Sequence, residues 1–267
     1  MNSSYEQKHP LYAASSTKRR KAMDLYEGGE RIEGNRAYLT RHTYESDKQY
    51  DIRASRATYR NFAAPIVDVF ASFINEGRPE RILPDALRPI EADADRYGMT
   101  ADAFFADVTR LAAAGGARFV IVDMEQKKGE TVAEDRASGR RLVPYFTSIS
   151  PDDVWDWGMD AKGLAWAVVH SEEMEHPAAF AAPLRYETLT VWTRDSWTRY
   201  RRPMKDKENT EYAIAEDGER RHGLGAVPLV PFLFEPTSPM TGLPATDDVL
   251  SLILRIYRRD SELDKML

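Results

Sequence analysis

YETLTVWTRDSWTRYRRP, residues 186–203, decides the fold class of this chain. The stretch is rich in Thr, Trp and Tyr, residues that suit a pleated, half-buried surface, and it is broken once by the turn-forming run Arg194-Asp195-Ser196. It predicts two strands joined by a tight turn. LAWAVVH, residues 164–170, reads as a further strand upstream, and a short polar strand around Tyr212 extends the meander. GLGAVPLVPFLFEP, residues 223–236, sets Pro228, Pro231 and Pro236 among apolar residues. Proline cannot donate to a ladder, so this segment is expected at a sheet edge rather than within it.

Helical signals precede the strands. Phe62, Ile66, Val69, Phe70 and Phe73 form a continuous apolar stripe at helical spacing, ended by Gly77 and Pro79. A second helix starts from Thr100 as N-cap, turns Phe104, Val108, Leu111 and Ala112 inward, and stops at Gly115-Gly116. A strand from Phe119 to Val122 follows, then a charged loop over Lys127–Arg141 and an apolar run over Leu142–Ile149. Ser150 and Pro151 suit the start of a short helical turn in SPDDVWDWGMD, residues 150–160. Residues 1–50 are polar, with Lys18-Arg19-Arg20-Lys21 together, and read as a peripheral arm or a solvated surface helix. The expected class is α+β: N-terminal helices, a mainly antiparallel sheet, then a C-terminal amphipathic helix. The expected division is 1–50 (arm), 51–243 (an α+β domain) and 244–267 (the terminal helix).

From Asp247 onward, Val249, Leu252, Ile253, Ile256 and Leu263 fall on one helical stripe, with Leu250, Leu254 and Tyr257 beside it. An apolar arc this wide needs partners on two sides, either two parts of its own core or a neighbouring subunit.

The 267 residues, 42% hydrophobic, suffice for a real core, and 37 basic against 43 acidic residues give a net charge of −6. No general positive field draws nucleic acid or anionic membrane. The absence of cysteine removes disulfides, thiolate metal sites and cysteine nucleophiles, and no run is long enough to cross a bilayer or to form a signal peptide. A cytoplasmic site of synthesis is expected.

Chemistry is sought first in GGARFVIVDMEQ, residues 115–126, where an apolar strand delivers Asp123 as a nucleotide hydrolase would. That chemistry also needs a Gly-rich phosphate loop closed by Lys and Ser or Thr, which the sequence does not contain. His9, His42, His170, His176 and His222 lack the i, i+4 pairing of a zinc helix and read as surface or incidental. Asp152, Asp153, Asp156 and Asp160 are interleaved with Trp155 and Trp157, which favours turn and capping roles over a divalent cation. Ser15 to Lys18 has a Ser-x-x-Lys spacing without a second motif, and Glu91, Asp93 and Asp95 read as a solvated helix face. No enzyme, cofactor or metal is expected. Trp192, Trp197 and Tyr200 beside Arg194, Arg199, Arg201 and Arg202 have the composition of a stacking platform for single-stranded nucleic acid, though cross-strand packing explains the same residues.

Taken in order, several segments resemble the N-terminal wing part of tailed-bacteriophage portal proteins, in particular a divergent portal-like family: HPLY at 9–12, AYLTRHTYESDKQYDIRASRATYRNFAAPIVDVFASFI at 37–74, RYGMTADAFFADVTRLAAAGGARFVIVD at 96–123, LVPYFTSISPDDVWDW at 142–157, and GLGAVPLVPF at 223–232 before the terminal helix. The resemblance implies a portal-wing-like fold in which Asp123 merely closes a structural strand. It implies a homo-oligomeric ring, usually of twelve subunits, at a capsid vertex of the virion. Double-stranded DNA passes through such a ring without sequence preference; a large terminase drives it, and scaffold or capsid and head-tail adaptor proteins are partners. No membrane is involved. Leu250, Ile253, Leu254, Ile256 and Tyr257 are then the candidate subunit contacts, and Arg199, Arg201, Arg202, Arg255 and Arg259 the candidate DNA contacts. Portal chains continue into a clip and a second stem helix, so the sequence corresponds to a fragment, a truncated prophage copy without portal activity, or a protein with another task.

Overall fold

The computed structural model describes residues 5–77, 79–124, 134, 143–206 and 211–263. The expected loop over Lys127–Arg141 lies almost wholly outside the described residues. The class is α+β. Six α-helices are described: α1 (Pro10–Glu27), α2 (Asp47–Arg56), α3 (Ala63–Ile74), α4 (Pro89–Ala92), α5 (Ala101–Gly115) and α6 (Leu250–Leu263). The strands are β1 (Ala117–Asp123), β2 (Tyr145–Ile149), β3 (Val154–Asp160), β4 (Gly163–Glu175), β5 (Leu184–Thr193), β6 (Ser196–Pro203), β7 (Ala213–Arg221), β8 (Leu229–Leu233), β9 (Glu235–Ser238) and β10 (Thr241–Leu243). They fall into two compact units: residues 1–14, 83–99 and 119–231 form the first, and 15–82, 100–118 and 232–267 the second. This interleaving replaces the expected linear division at 50 and 243.

The first unit carries most of the β-structure, while the antiparallel pair β9–β10 belongs to the second. β3 to β7 form a five-stranded antiparallel sheet in chain order. Trp192 lies opposite Trp197 across the expected tight turn, their rings 5.9 Å apart. The turn at Pro151 is present, with Asp153 N–H donating to the Ser150 carbonyl at 3.0 Å. It is short, as expected, and VWDWGMD continues as strand β3, its alternation of Trp with Asp and Gly having the two-residue period of a sheet. β1 pairs antiparallel with β2 and has β8 on its other side. Pro231 therefore stands in an edge strand, as its missing N–H requires.

The polar N-terminus is no loose arm. Residues 5–12 lie on the sheet of the first unit: His9 N–H donates to the Trp155 carbonyl at 2.8 Å, its ring stacks on Trp157 at 4.0 Å, and the Tyr12 hydroxyl donates to the Asp152 carbonyl at 3.1 Å. In the second unit Ala22, Leu25, Ile32 and Leu39 are fully buried in one core with Tyr50, Tyr59 and the inner face of α6. Ala22 and Leu25 lie on α1, whereas Ile32 and Leu39 lie in the segment between α1 and α2, so residues from separate elements meet in this core.

α2 opens with a capping box: Ser46 accepts from Gln49 N–H, and the Gln49 side chain accepts from Ser46 N–H. α5 is bounded as expected, with Thr100 accepting from Ala103 N–H and Gly116 in the left-handed region at φ 86°. Glu91, Asp93 and Asp95 do not share a helix face. α4 ends at Ala92, and Asp93 and Asp95 instead accept from the backbone N–H groups of Gly98, Tyr97 and Met99 at 2.8–3.1 Å, which folds the loop.

Candidate assembly interface

Asp123 accepts the Tyr145 hydroxyl at 2.8 Å and the Met124 N–H at 2.8 Å. Burial, and then the facing carboxylate, push the Tyr145 hydroxyl up to about 12, so it stays a donor. The Arg96 guanidinium lies 4.8 Å from the Tyr145 ring centre. Asp123 closes a strand pair here.

The four aspartates of residues 150–160 are separately engaged. Asp160 takes both Nη groups of Arg194 at 2.7 Å and the Lys162 N–H at 2.7 Å; Arg194 foremost holds its carboxyl down to about 2. Asp156 accepts from Trp157 N–H, Asp152 N–H donates to Ser150 Oγ, and Asp153 faces His170 at 3.4 Å. Among the described residues no three His, Cys, Asp or Glu side chains are grouped to hold a metal ion. His170 is not incidental: it stacks on Trp155 at 4.3 Å, with Asp153 and Glu187 at its two ring nitrogens. Lys18 of the Ser-x-x-Lys run is paired with Asp247 at 2.8 Å.

The basic hairpin is neutralised from within its own unit. Arg202 binds Glu187 and Glu6 at 2.7 Å, Arg201 pairs with Glu175, and Arg199 pairs with Glu173 at 3.5 Å. Trp192 and Trp197 are buried, and Tyr200 packs on Tyr5 at 5.3 Å. A stacking platform needs open rings and uncommitted cations, and this hairpin offers its rings to its own core.

The terminal helix also departs from expectation. Leu250, Ile253, Leu254 and Tyr257 are buried in the core of the second unit, so of the five candidate subunit contacts only Ile256 keeps partial exposure. They pack against Leu25, Ile32, Leu39 and Tyr59, with the Tyr59 and Tyr257 rings edge to face at 5.9 Å. One of the two partners that the wide arc demands is thus the chain itself. Arg255 and Arg259, the remaining candidate DNA contacts, are exposed on the outer side of α6.

A different helix presents the free apolar surface, and its exposure could not be read from the periodicity alone. An apolar stripe on a helix ordinarily faces the core. On α3 the buried residues are the small ones, Ala63, Val67 and Ala71, whereas Phe73 is 70% exposed, Ile74 58% and Val69 52%, with Phe62 and Phe70 close behind. Val67 of α3 packs against Ala113 and Ala114 of α5, so the contact is filled by small side chains while the larger ones are turned outward. Isolated exposed apolar residues are ordinary, and this cluster is not isolated; Phe70 is partly engaged, its ring edge to face with Phe234 at 5.5 Å, while Val69, Phe73 and Ile74 stay more than half exposed.

Neither the models of known protein families nor the curated proteins compared with this sequence give a match.

Proposed function

We propose that this chain is a structural subunit of a portal-type homo-oligomeric ring, the conduit through which double-stranded DNA enters and leaves a phage head. The outward apolar stripe of α3 carries the reading, because a helix that leaves Val69, Phe73 and Ile74 more than half exposed offers them to a partner outside its own chain. The ordered portal-like segments from HPLY to the terminal helix, and a net charge of −6, support it. A channel that lets a polyanion slide is served by few fixed cations, and the arginines of the basic hairpin are held by carboxylates. In this role the chain makes and breaks no bond; the terminase supplies the chemistry, and capsid or scaffold and adaptor proteins dock on the ring at the virion vertex.

Mass photometry tests the proposal. The expected species is a closed multiple of the 30.4 kDa subunit, with a mass that persists between low and high salt because apolar contact, unlike surface ion pairing, is not screened. A 30.4 kDa particle at every concentration and salt would refute it.

A further inference from the structure

We propose that the outward stripe of α3 receives the outer face of α6 from a neighbouring copy of this chain, a contact that specifies the ring interface and rests on the ring reading above. Phe62, Ile66, Val69 and Phe73 follow one another at intervals of four, three and four residues, the spacing of a seam that packs against a second helix. α6 repeats that spacing on its outer side with Leu252, Ile256, Arg259 and Leu263. Its inner side is spent on the core of its own unit, yet Leu252 and Leu263 are 54% and 57% exposed. The arc that asked for two partners has one at home, and among the described residues its other side stays exposed at Leu252 and Leu263.

Charge selects the pairing. Asp68 is the single ionisable residue from Phe62 to Ile74, and it is exposed on the flank of the α3 stripe. Arg255 and Arg259 are exposed along the outer face of α6. Setting α6 of one copy on α3 of the next brings these opposite charges together, whereas α3 against α3 would oppose two Asp68 carboxylates. A membrane is a poor occupant, because a helix that lies on anionic lipid carries Lys or Arg on its polar face and α3 carries none. Nucleic acid is excluded for the same reason. Two different patches that meet head to tail generate a ring when the rotation closes, while a single self-paired patch stops at a dimer. Exposed aromatic and branched side chains in these numbers supply several hundred Å² of apolar surface per subunit, the scale of a specific protein contact.

The chain has no cysteine, so single-cysteine variants report the contact directly. Equal amounts of F73C and L252C, mixed and mildly oxidised, are expected to give a disulfide-linked dimer containing one chain of each. F73D and, separately, L252D are each expected to abolish the assembled species at concentrations where the unmodified chain is fully assembled, with far-ultraviolet circular dichroism unchanged because both side chains are more than half exposed. An assembled mass untouched by both aspartate variants would overturn this contact and leave the ring proposal standing. F73C alone giving the same dimer as the mixture would overturn it in favour of a self-paired α3. A chain that is monomeric before any substitution would refute both proposals, and a two-copy particle that F73D dissolves and the cysteine mixture cross-links would sustain the contact and refute the ring.

Discussion

Replacing Arg53 by methionine is expected to lower the stability of the second unit by about 3–5 kcal/mol, because it strands a buried carboxylate. Arg53 and Glu45 have side-chain exposures of 1% and 3% and are joined twice, Nε to Oε1 at 2.9 Å and Nη2 to Oε2 at 2.8 Å. The guanidinium also donates to the Thr40 carbonyl at 2.9 Å and to Ser261 Oγ at 3.2 Å, which ties α2 and the loop before it to α6. Thermal unfolding should show the loss as a fall in Tm on the order of 10 °C. Replacing both partners, Glu45→Leu with Arg53→Met, should recover much of it, since a buried pair exchanged for apolar groups is close to neutral. The dependence on pH has a definite sign. The Arg53 hydrogen bonds foremost hold the Glu45 carboxyl down to about 2, so its contribution is complete above the ordinary 4.5 and is lost as pH falls toward 2. Without Arg53 the buried carboxyl gains by taking up a proton. The stability gap between the unmodified chain and R53M should therefore narrow from neutral pH to acid; a gap constant with pH would contradict the assignment.

Gly116→Ala should cost roughly 2–5 kcal/mol, the sum of a left-handed backbone and an overpacked contact. Gly116 has φ 86°, and a Cβ there would stand 2.5 Å from the Gly242 oxygen and 2.8 Å from the Leu243 carbonyl carbon. The residue closes α5 through its N–H to Ala112 at 2.7 Å and offers its carbonyl to Phe234 N–H at 3.1 Å, so neither strand nor helix can retreat. Gly98→Ala is the control. Gly98 has φ 93° but nothing within 4 Å of a Cβ, so only the backbone part, about 1–2 kcal/mol, should be lost. Equal losses at the two positions in denaturant titrations would show that the close approach at Gly116 contributes nothing.

Where local chemistry decides a boundary, the sequence was enough. Thr100 and Gly116 bracket α5, Arg194 to Ser196 turn the hairpin, and Pro231 demands an edge. Where tertiary packing decides, it was not. The turn at Ser150 and Pro151 is legible, but the strand that VWDWGMD forms after it is not assigned from the sequence. Leu25, Ile32 and Leu39 recur at intervals of seven but do not share a helix, since α1 ends at Glu27, yet each is fully buried. The capping box of Ser46 and Gln49 was legible in principle, because the spacing of the two residues is the signal. The interface candidates were displaced for a related reason. A helical stripe states that apolar residues share a side, and only the neighbouring helices state which side is inward. α6 turned its best residues to its own core, and α3 turned its largest ones out.

Electron microscopy of the purified chain tests the central claim most directly. Negative-stain averages should show closed rings with an open central channel wide enough to pass a DNA duplex, at protein concentrations where subunit contact is complete. Fields of single 30.4 kDa particles, or compact dimers without a channel, would contradict it.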